Sequence, residues 1–188
     1  MTSVTQLWLI RHAPVDGPRG VIHDVDAPAD VSDTAAMSRL RLLLPKTHVA
    51  ISSPARRARD TADALGLVAV SDLAFGEQDF GRWTGRMHED IRRDSEAVYD
   101  NFWCAPATNR PPGGESFVDQ IARVRAGIAT LPAGDVIIVA HAGTIRAALA
   151  VALEISPDKA LGVVIDPLSL TRLDRLDQGW RVVAVNRI

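Results

Sequence analysis

Two histidines follow strongly apolar runs, and they are the first residues here whose surroundings suggest chemistry. Leu7-Trp8-Leu9-Ile10 leads into Arg11-His12, and Val136-Ile137-Ile138-Val139-Ala140 leads into His141-Ala142-Gly143. A third apolar run, Val49-Ala50-Ile51, leads into Ser52-Ser53-Pro54, with Arg56 and Arg57 directly after it. A neutral imidazole nitrogen is a competent nucleophile toward phosphorus. A second imidazole can donate a hydrogen bond to the oxygens in transfer. Guanidinium forks match the three equatorial oxygens of a phosphoryl group, and Arg11 and Arg57 are placed to supply them. A departing oxygen needs a proton donor, and Glu77, in Phe75-Gly76-Glu77-Gln78-Asp79-Phe80-Gly81-Arg82-Trp83, is the carboxyl group we select for that role.

These residues work together only if the fold gathers them. The apolar runs 7–10, 49–51 and 136–140 predict buried strands, the last apolar on both faces as in a strand covered on both sides. Further strands are expected at 168–173 and 180–185, with Asp177-Gln178-Gly179 as the turn of an antiparallel hairpin. Helical spacing marks 32–44, 54–65, 116–131 and 144–153. Strand and helix alternate, which predicts an α/β sandwich around a mostly parallel sheet. In such a sheet the strand ends before His12, Ser53 and His141 share one edge, where ligands of open α/β folds collect. Ser53 reads as the N-cap and Pro54 as the first residue of the helix that follows. Arg56 and Arg57 then oppose the helix dipole, an arrangement that makes sense around a bound anion. The stretch 75–112 carries Phe80, Trp83, Tyr99, Phe102 and Trp103 among many charges, and we expect it to be a lid-like insertion within a single domain, 1–188.

The bulk composition narrows the field. The chain has 188 residues, 47% of them apolar, and a net charge of −2, which gives no basic surface for nucleic acid or anionic lipid. Cys104 is the one cysteine, so no intrachain disulfide can form, and it belongs to no motif. With neither a signal-like start nor an apolar run of membrane-spanning length, the expected compartment is the cytoplasm and no membrane partner is expected.

Taken together, the motifs resemble those of the histidine phosphatase superfamily, which also contains the phosphoglycerate mutases. Leu9-Ile10-Arg11-His12-Ala13 is similar to its Arg-His-Gly signature. Residues 52–62 resemble its second motif and align Arg57, rather than Arg56, with the phosphate-binding arginine. Residues 77–85, the run Gly113-Gly114-Glu115-Ser116 and residues 139–146 complete five motifs in family order. The resemblance implies that His12 is phosphorylated, that Arg11, Arg57 and His141 hold the phosphoryl group, and that Glu77 is the general acid. It also implies the family's three-layer α/β/α sandwich and no metal or other cofactor.

The mutases of that family usually carry Glu-Ser and an Asn soon after the first histidine. This chain has Ala13-Pro14-Val15-Asp16, which favours hydrolysis of a small-molecule phosphate ester over transfer. Residues 14–28 resemble the α-ribazole phosphatase branch at Asp26 and Pro28, and depart from it at Ile22, His23 and Asp24. The alternatives are a mutase-like phosphotransferase and a non-catalytic phospho-ligand binding module. A homodimer is plausible for such a fold. Several features read as structural only. Arg56 and Arg59 suit a solvated helix face, His48 and His88 the surface, and Trp8 and Trp180 the core. His23-Asp24-Val25-Asp26 alternates sides along an extended segment, so it makes no metal cluster.

Overall fold

A computed structural model describes residues 4–188. Six strands form one sheet: β1 (Thr5–Arg11), β2 (Val49–Ser52), β3 (Val70–Ser71), β4 (Gly134–Ala140), β5 (Leu170–Arg175) and β6 (Trp180–Arg187), in the order β3-β2-β4-β1-β5-β6. The first four pair in parallel, and β5 and β6 are antiparallel additions at one side. β4 lies at the centre, and its seven-residue run GDVIIVA explains why. Ile137 and Val139 face one layer; Val136, Ile138 and Ala140 face the other. Water reaches neither side, so no polar alternation is needed.

One layer is α1 (Thr34–Leu43) with α2 (Arg56–Ala64), which press Met37, Leu40, Ala58 and Ala62 onto Ile10, Ala50 and Ile137. The other holds α5 (Phe117–Ala129), α6 (Ala142–Leu153) and α7 (Pro157–Leu161), with Phe117, Val124, Ile128, Ile145 and Leu149 over Leu7, Leu9 and Leu173. The three-layer α/β/α sandwich with a mostly parallel sheet is therefore present. α5 begins on a capping box in which Ser116 accepts from the Asp119 N–H and Asp119 accepts from the Ser116 N–H. No helix among the described residues is long and apolar enough to cross a membrane.

Several expectations are corrected. Ser53 does not cap α2: the helix starts two residues later from an extended Ala55, leaving Pro54 outside it and the Ser53 hydroxyl free for another partner. β5 starts at Leu170 rather than 168, because Leu168 takes a left-handed φ of 59° that no strand accommodates. The two-residue β3 and the one-turn α7 were not anticipated, although Ser156 followed by Pro157 is a sound start signal for the latter. Trp8 and Trp180 are only half-buried. The Trp8 indole N–H donates to Asp135 at 2.7 Å, and Arg172 lies 4.3 Å over its ring.

Residues 75–112 contain a 3₁₀ turn at Gly81–Trp83 and two short helices, α3 (His88–Asp94) and α4 (Glu96–Cys104). They carry their own apolar cluster, Trp83, Ile91 and Phe102 with Phe80 and Tyr99, joined by Ile22 from the loop after β1. Its neck is tight. A Cβ on Gly81 would collide with the backbone of Pro112, Gly113 and Gly114, and its φ of 54° suits glycine as well.

Candidate active site

Strand register brings the two histidines together. Arg11 pairs with Ala140 in the parallel ladder of β1 and β4, so His12 and His141 are the next residues on adjacent strands. The His12 N–H donates to the Ala140 carbonyl at 2.9 Å, and the Ser53 N–H donates to the Val139 carbonyl at 2.9 Å, extending the ladder into the loops. The imidazole centroids are 5.0 Å apart and the rings meet at 64°. His12 is 5% exposed and His141 fully buried.

A hydrogen bond fixes the tautomer of His12. His12 Nδ1 lies 2.6 Å from the Ala13 carbonyl oxygen, which can only accept, so Nδ1 carries the proton and Nε2 the lone pair. His141 Nε2 lies 2.7 Å from Ser53 Oγ. That oxygen already accepts from the Ala55 N–H at 3.2 Å, and we assign its own proton to the His141 contact. His141 then keeps its proton on Nδ1, which is buried without a partner and lies 3.9 Å from Glu77 Oε2. Burial is the main cause that lowers the affinity of both rings for a second proton. For His12, the neighbouring His141, Arg57 and Arg11 add to it, and its pKa is pushed down to about 3. For His141, Arg57 and Arg11 hold the value well below the usual range. Both rings are therefore neutral near pH 7.

Positive charge comes from the guanidinium groups. Arg57 is buried in the first turn of α2, and its Nη1 donates to the Asp24 carbonyl at 2.7 Å. Arg11 Nη1 donates to the Ile165 carbonyl at 2.5 Å, while its Nε is buried without a partner. Burial lowers both pKa values and Glu77 raises them, so the carboxylate and the two cations share one field. Thr61 joins the pieces, donating to the Arg57 carbonyl at 2.7 Å and accepting from the Ala13 N–H at 3.0 Å.

Glu77 arrives from the far side, on the loop before the 3₁₀ turn. The Gln78 N–H donates to its Oε1 at 3.0 Å. That oxygen sits where a side chain at position 143 would otherwise be: a Cβ on Gly143 would collide with it and crowd Gln120. Gln120 is fully buried on α5. With its amide oxygen turned toward the donors, it accepts from Thr144 N at 3.3 Å and Gln78 N at 3.1 Å, fastening the Glu77 loop to the start of α6.

These groups line a cleft of about 650 Å³ that includes Arg11, His12, Ser53, Arg57 and Glu77. All five site residues selected from the sequence are thus brought to one place, His141 by its contacts with His12 and Glu77. Arg56 points elsewhere, exposed and 3.6 Å from Asp60. Among the described residues no group of three or more His, Cys, Asp or Glu side chains is placed to hold a metal. The sequence reading missed Ser53 as a partner of His141 and missed Gln120 altogether; a lone glutamine on an amphipathic helix gives no signal. It also placed His88 on the surface. His88 is half-buried instead, 3.2 Å from the Tyr99 hydroxyl, and lines the cleft, because the aromatic cluster of α3 and α4 encloses it.

Two neutral imidazoles, the buried Arg57, the half-buried Arg11 and the Glu77 carboxylate, gathered at the C-terminal edge of a covered parallel sheet, define the class of site that binds tetrahedral oxyanions. The chain belongs to the histidine phosphatase superfamily (branch 1), whose family model matches residues 7–188. It is 32% identical over 170 residues to glucosyl-3-phosphoglycerate phosphatase of Mycobacterium tuberculosis, covering 80% of this chain and 76% of that one. It is 36% identical over 130 residues to a bifunctional protein of the same organism. That match covers 64% of this chain but 35% of the relative, so the chain spans about a third of that protein's length. The α-ribazole phosphatase of Shigella flexneri shares the fold, with a TM-score of 0.83 at 22% identity over 96% of both chains.

Proposed function

We propose that this chain hydrolyses a small phosphate monoester through a phosphohistidine formed on His12. The observation that carries the reading is the tautomer of that residue. The Ala13 carbonyl holds Nδ1–H at 2.6 Å, leaving Nε2 unprotonated on a ring that burial keeps neutral. A nucleophile must be held in this way before it is useful.

In the first step Nε2 attacks phosphorus and the ester P–O bond breaks. The electron pair goes to the leaving oxygen, which takes a proton from the Glu77 carboxyl group. Arg11, Arg57 and the His141 Nδ1–H balance the charge on the equatorial oxygens. In the second step water attacks the phosphohistidine and the N–P bond breaks. Glu77, now a carboxylate, takes the proton of the attacking water, and inorganic phosphate leaves with His12 restored. The segment 75–112 carries Glu77 near one end and serves as the lid of a single domain. The partner is a small-molecule ester in the cytoplasm; the net charge of −2 offers nothing to nucleic acid. The motif resemblance of residues 14–28 makes α-ribazole phosphate the first metabolite to assay.

The test is hydrolysis of p-nitrophenyl phosphate in EDTA, with alkaline-quench labelling of the enzyme by a ³²P-labelled ester. Turnover with an acid-labile, base-stable phosphoenzyme that disappears in His12→Asn is the expected result. Full activity in that variant would overturn the reading.

A further inference from the structure

We infer that the leaving group accepted by this cleft is an uncharged aromatic one seated against Trp103, and that phosphoesters carrying a carboxylate on the leaving group are poor substrates. The inference rests on the phosphatase reading above and names the substrate class of the same site.

Away from the phosphoryl end the cleft wall is apolar: Val21, Ile22, Val25, Phe80 and Trp103 line it. Trp103, near the end of α4, is 43% exposed although three rings hold it in place. Phe102 meets it edge-on at 5.0 Å and 83°, His88 at 5.8 Å and 50°, and Tyr99 at 6.0 Å and 57°. A large aromatic surface that is both exposed and pinned is costly to leave in water and loses little entropy when a flat ring covers it. Isolated exposed aromatics are common; one fixed by its neighbours at the mouth of a catalytic cleft is a recognition surface.

The charges on the same wall argue against an anion. The chain's lysines, Lys46 and Lys159, lie outside the cleft lining. Beyond Arg11 and Arg57, the arginine on the wall is Arg123, and it is already engaged. Its Nη2 meets Glu115 at 2.5 Å, and its remaining N–H groups go to the carbonyls of Leu73, Ala74, Gly76 and Glu77. The proton affinities of His23 and His88 are both lowered from the ordinary imidazole value, chiefly by burial, which disfavours their charged forms. Asp79 and Glu115 stand on the same wall. A carboxylate there would lose hydration, find no unengaged cation among the lining residues beyond Arg11 and Arg57, and face the like charge of Asp79.

The test compares esters that all release an alkoxide, so that leaving-group chemistry is held constant: 2-naphthylmethyl phosphate, glycerol 3-phosphate and 3-phosphoglycerate. We expect kcat/KM for the naphthylmethyl ester to exceed that for glycerol 3-phosphate by about tenfold, the scale of one aromatic stack, with 3-phosphoglycerate slowest. Trp103→Ala should lower the naphthylmethyl to glycerol ratio by about tenfold, and Trp103→Phe should restore most of it. Circular dichroism of each variant establishes that it folds. Equal or better turnover of 3-phosphoglycerate, or a ratio unmoved in Trp103→Ala, overturns the inference and leaves the phosphatase reading standing. Failure to hydrolyse any of the three, or p-nitrophenyl phosphate, overturns both.

Discussion

His12 and His141 touch because Arg11 and Ala140 are paired. A parallel ladder that ends on that pair sets the next residue of each strand side by side, and the rings lie 5.0 Å apart. Burial keeps both rings neutral, and for His12 the neighbouring His141 adds to it, so the register that sets their positions also contributes to the protonation of the site.

Replacing His12 with Asn should lower kcat by at least about a thousandfold, since residues that act as a unit fail together. Rapid-quench labelling checks it, with thermal denaturation to establish that the variant folds.

Glu77→Gln keeps the hydrogen bond from the Gln78 N–H but cannot supply a proton. Turnover of alkyl phosphates should fall roughly 10²–10⁴-fold. p-Nitrophenyl phosphate, whose leaving group departs as a stable anion, should lose far less. Measuring the ratio of the two substrates in the variant isolates the general-acid role; an equal loss on both would sink it.

Gly143→Ala should cost activity with little loss of fold, because the new methyl group lands on the Glu77 carboxylate and the Gln120 amide rather than on the apolar core. The expected signature is a fall in kcat that follows the substrate pattern of Glu77→Gln, read by steady-state kinetics beside a melting curve.

Ser53→Ala removes the hydroxyl that faces His141 Nε2 at 2.7 Å. His141 is then free to take either tautomer, and a donor to the phosphoryl oxygens becomes an acceptor for part of the time. We expect kcat/KM to fall about tenfold or more, in line with the loss of a ligand's supporting hydrogen bond, with vanadate inhibition weakened in parallel. Ser53→Thr, which keeps the hydroxyl, should retain most of the activity.

Acid should destabilise the fold through its buried imidazoles. Their ordinary value is 6.5; in the folded chain His12 is pushed down to about 3 and His141 well below 6.5. Between those values the unfolded chain binds protons that the folded chain does not, so stability falls as pH drops from about 6.5 toward 3 and is fully present above 6.5. Each histidine contributes up to roughly 1.4 kcal/mol per pH unit. Urea midpoints at pH 7.5 and pH 5 check the slope, which should flatten in His12→Asn.

The amino-acid sequence determined the layers and the ends of the strands. Apolar runs such as Val136–Ala140 can be buried only in a central strand, and the residue after each run must then emerge at the sheet edge. That reasoning reached Arg11, His12, His141 and the pair Arg56 and Arg57, since all sit directly beyond apolar runs or in the first turn of the helix that follows; the motif match chose Arg57 of the pair. Glu77 was reached by its motif, not by periodicity.

Only the tertiary structure decided what those groups do to one another. Ser53 reads as a helix cap in one dimension, and becomes the partner of His141 because the adjacent strands bring a buried imidazole to its hydroxyl. Gln120 and Gly143 matter because α5 and α6 meet at the Glu77 loop, a contact between segments with no shared local pattern. His88 and Trp103 line the cleft because rings from α3 and α4, Tyr99 and Phe102 among them, pack against them there. Propensity and periodicity act over a few neighbouring residues; tautomer, protonation state and cleft lining depend on atoms that meet only after the layers have packed.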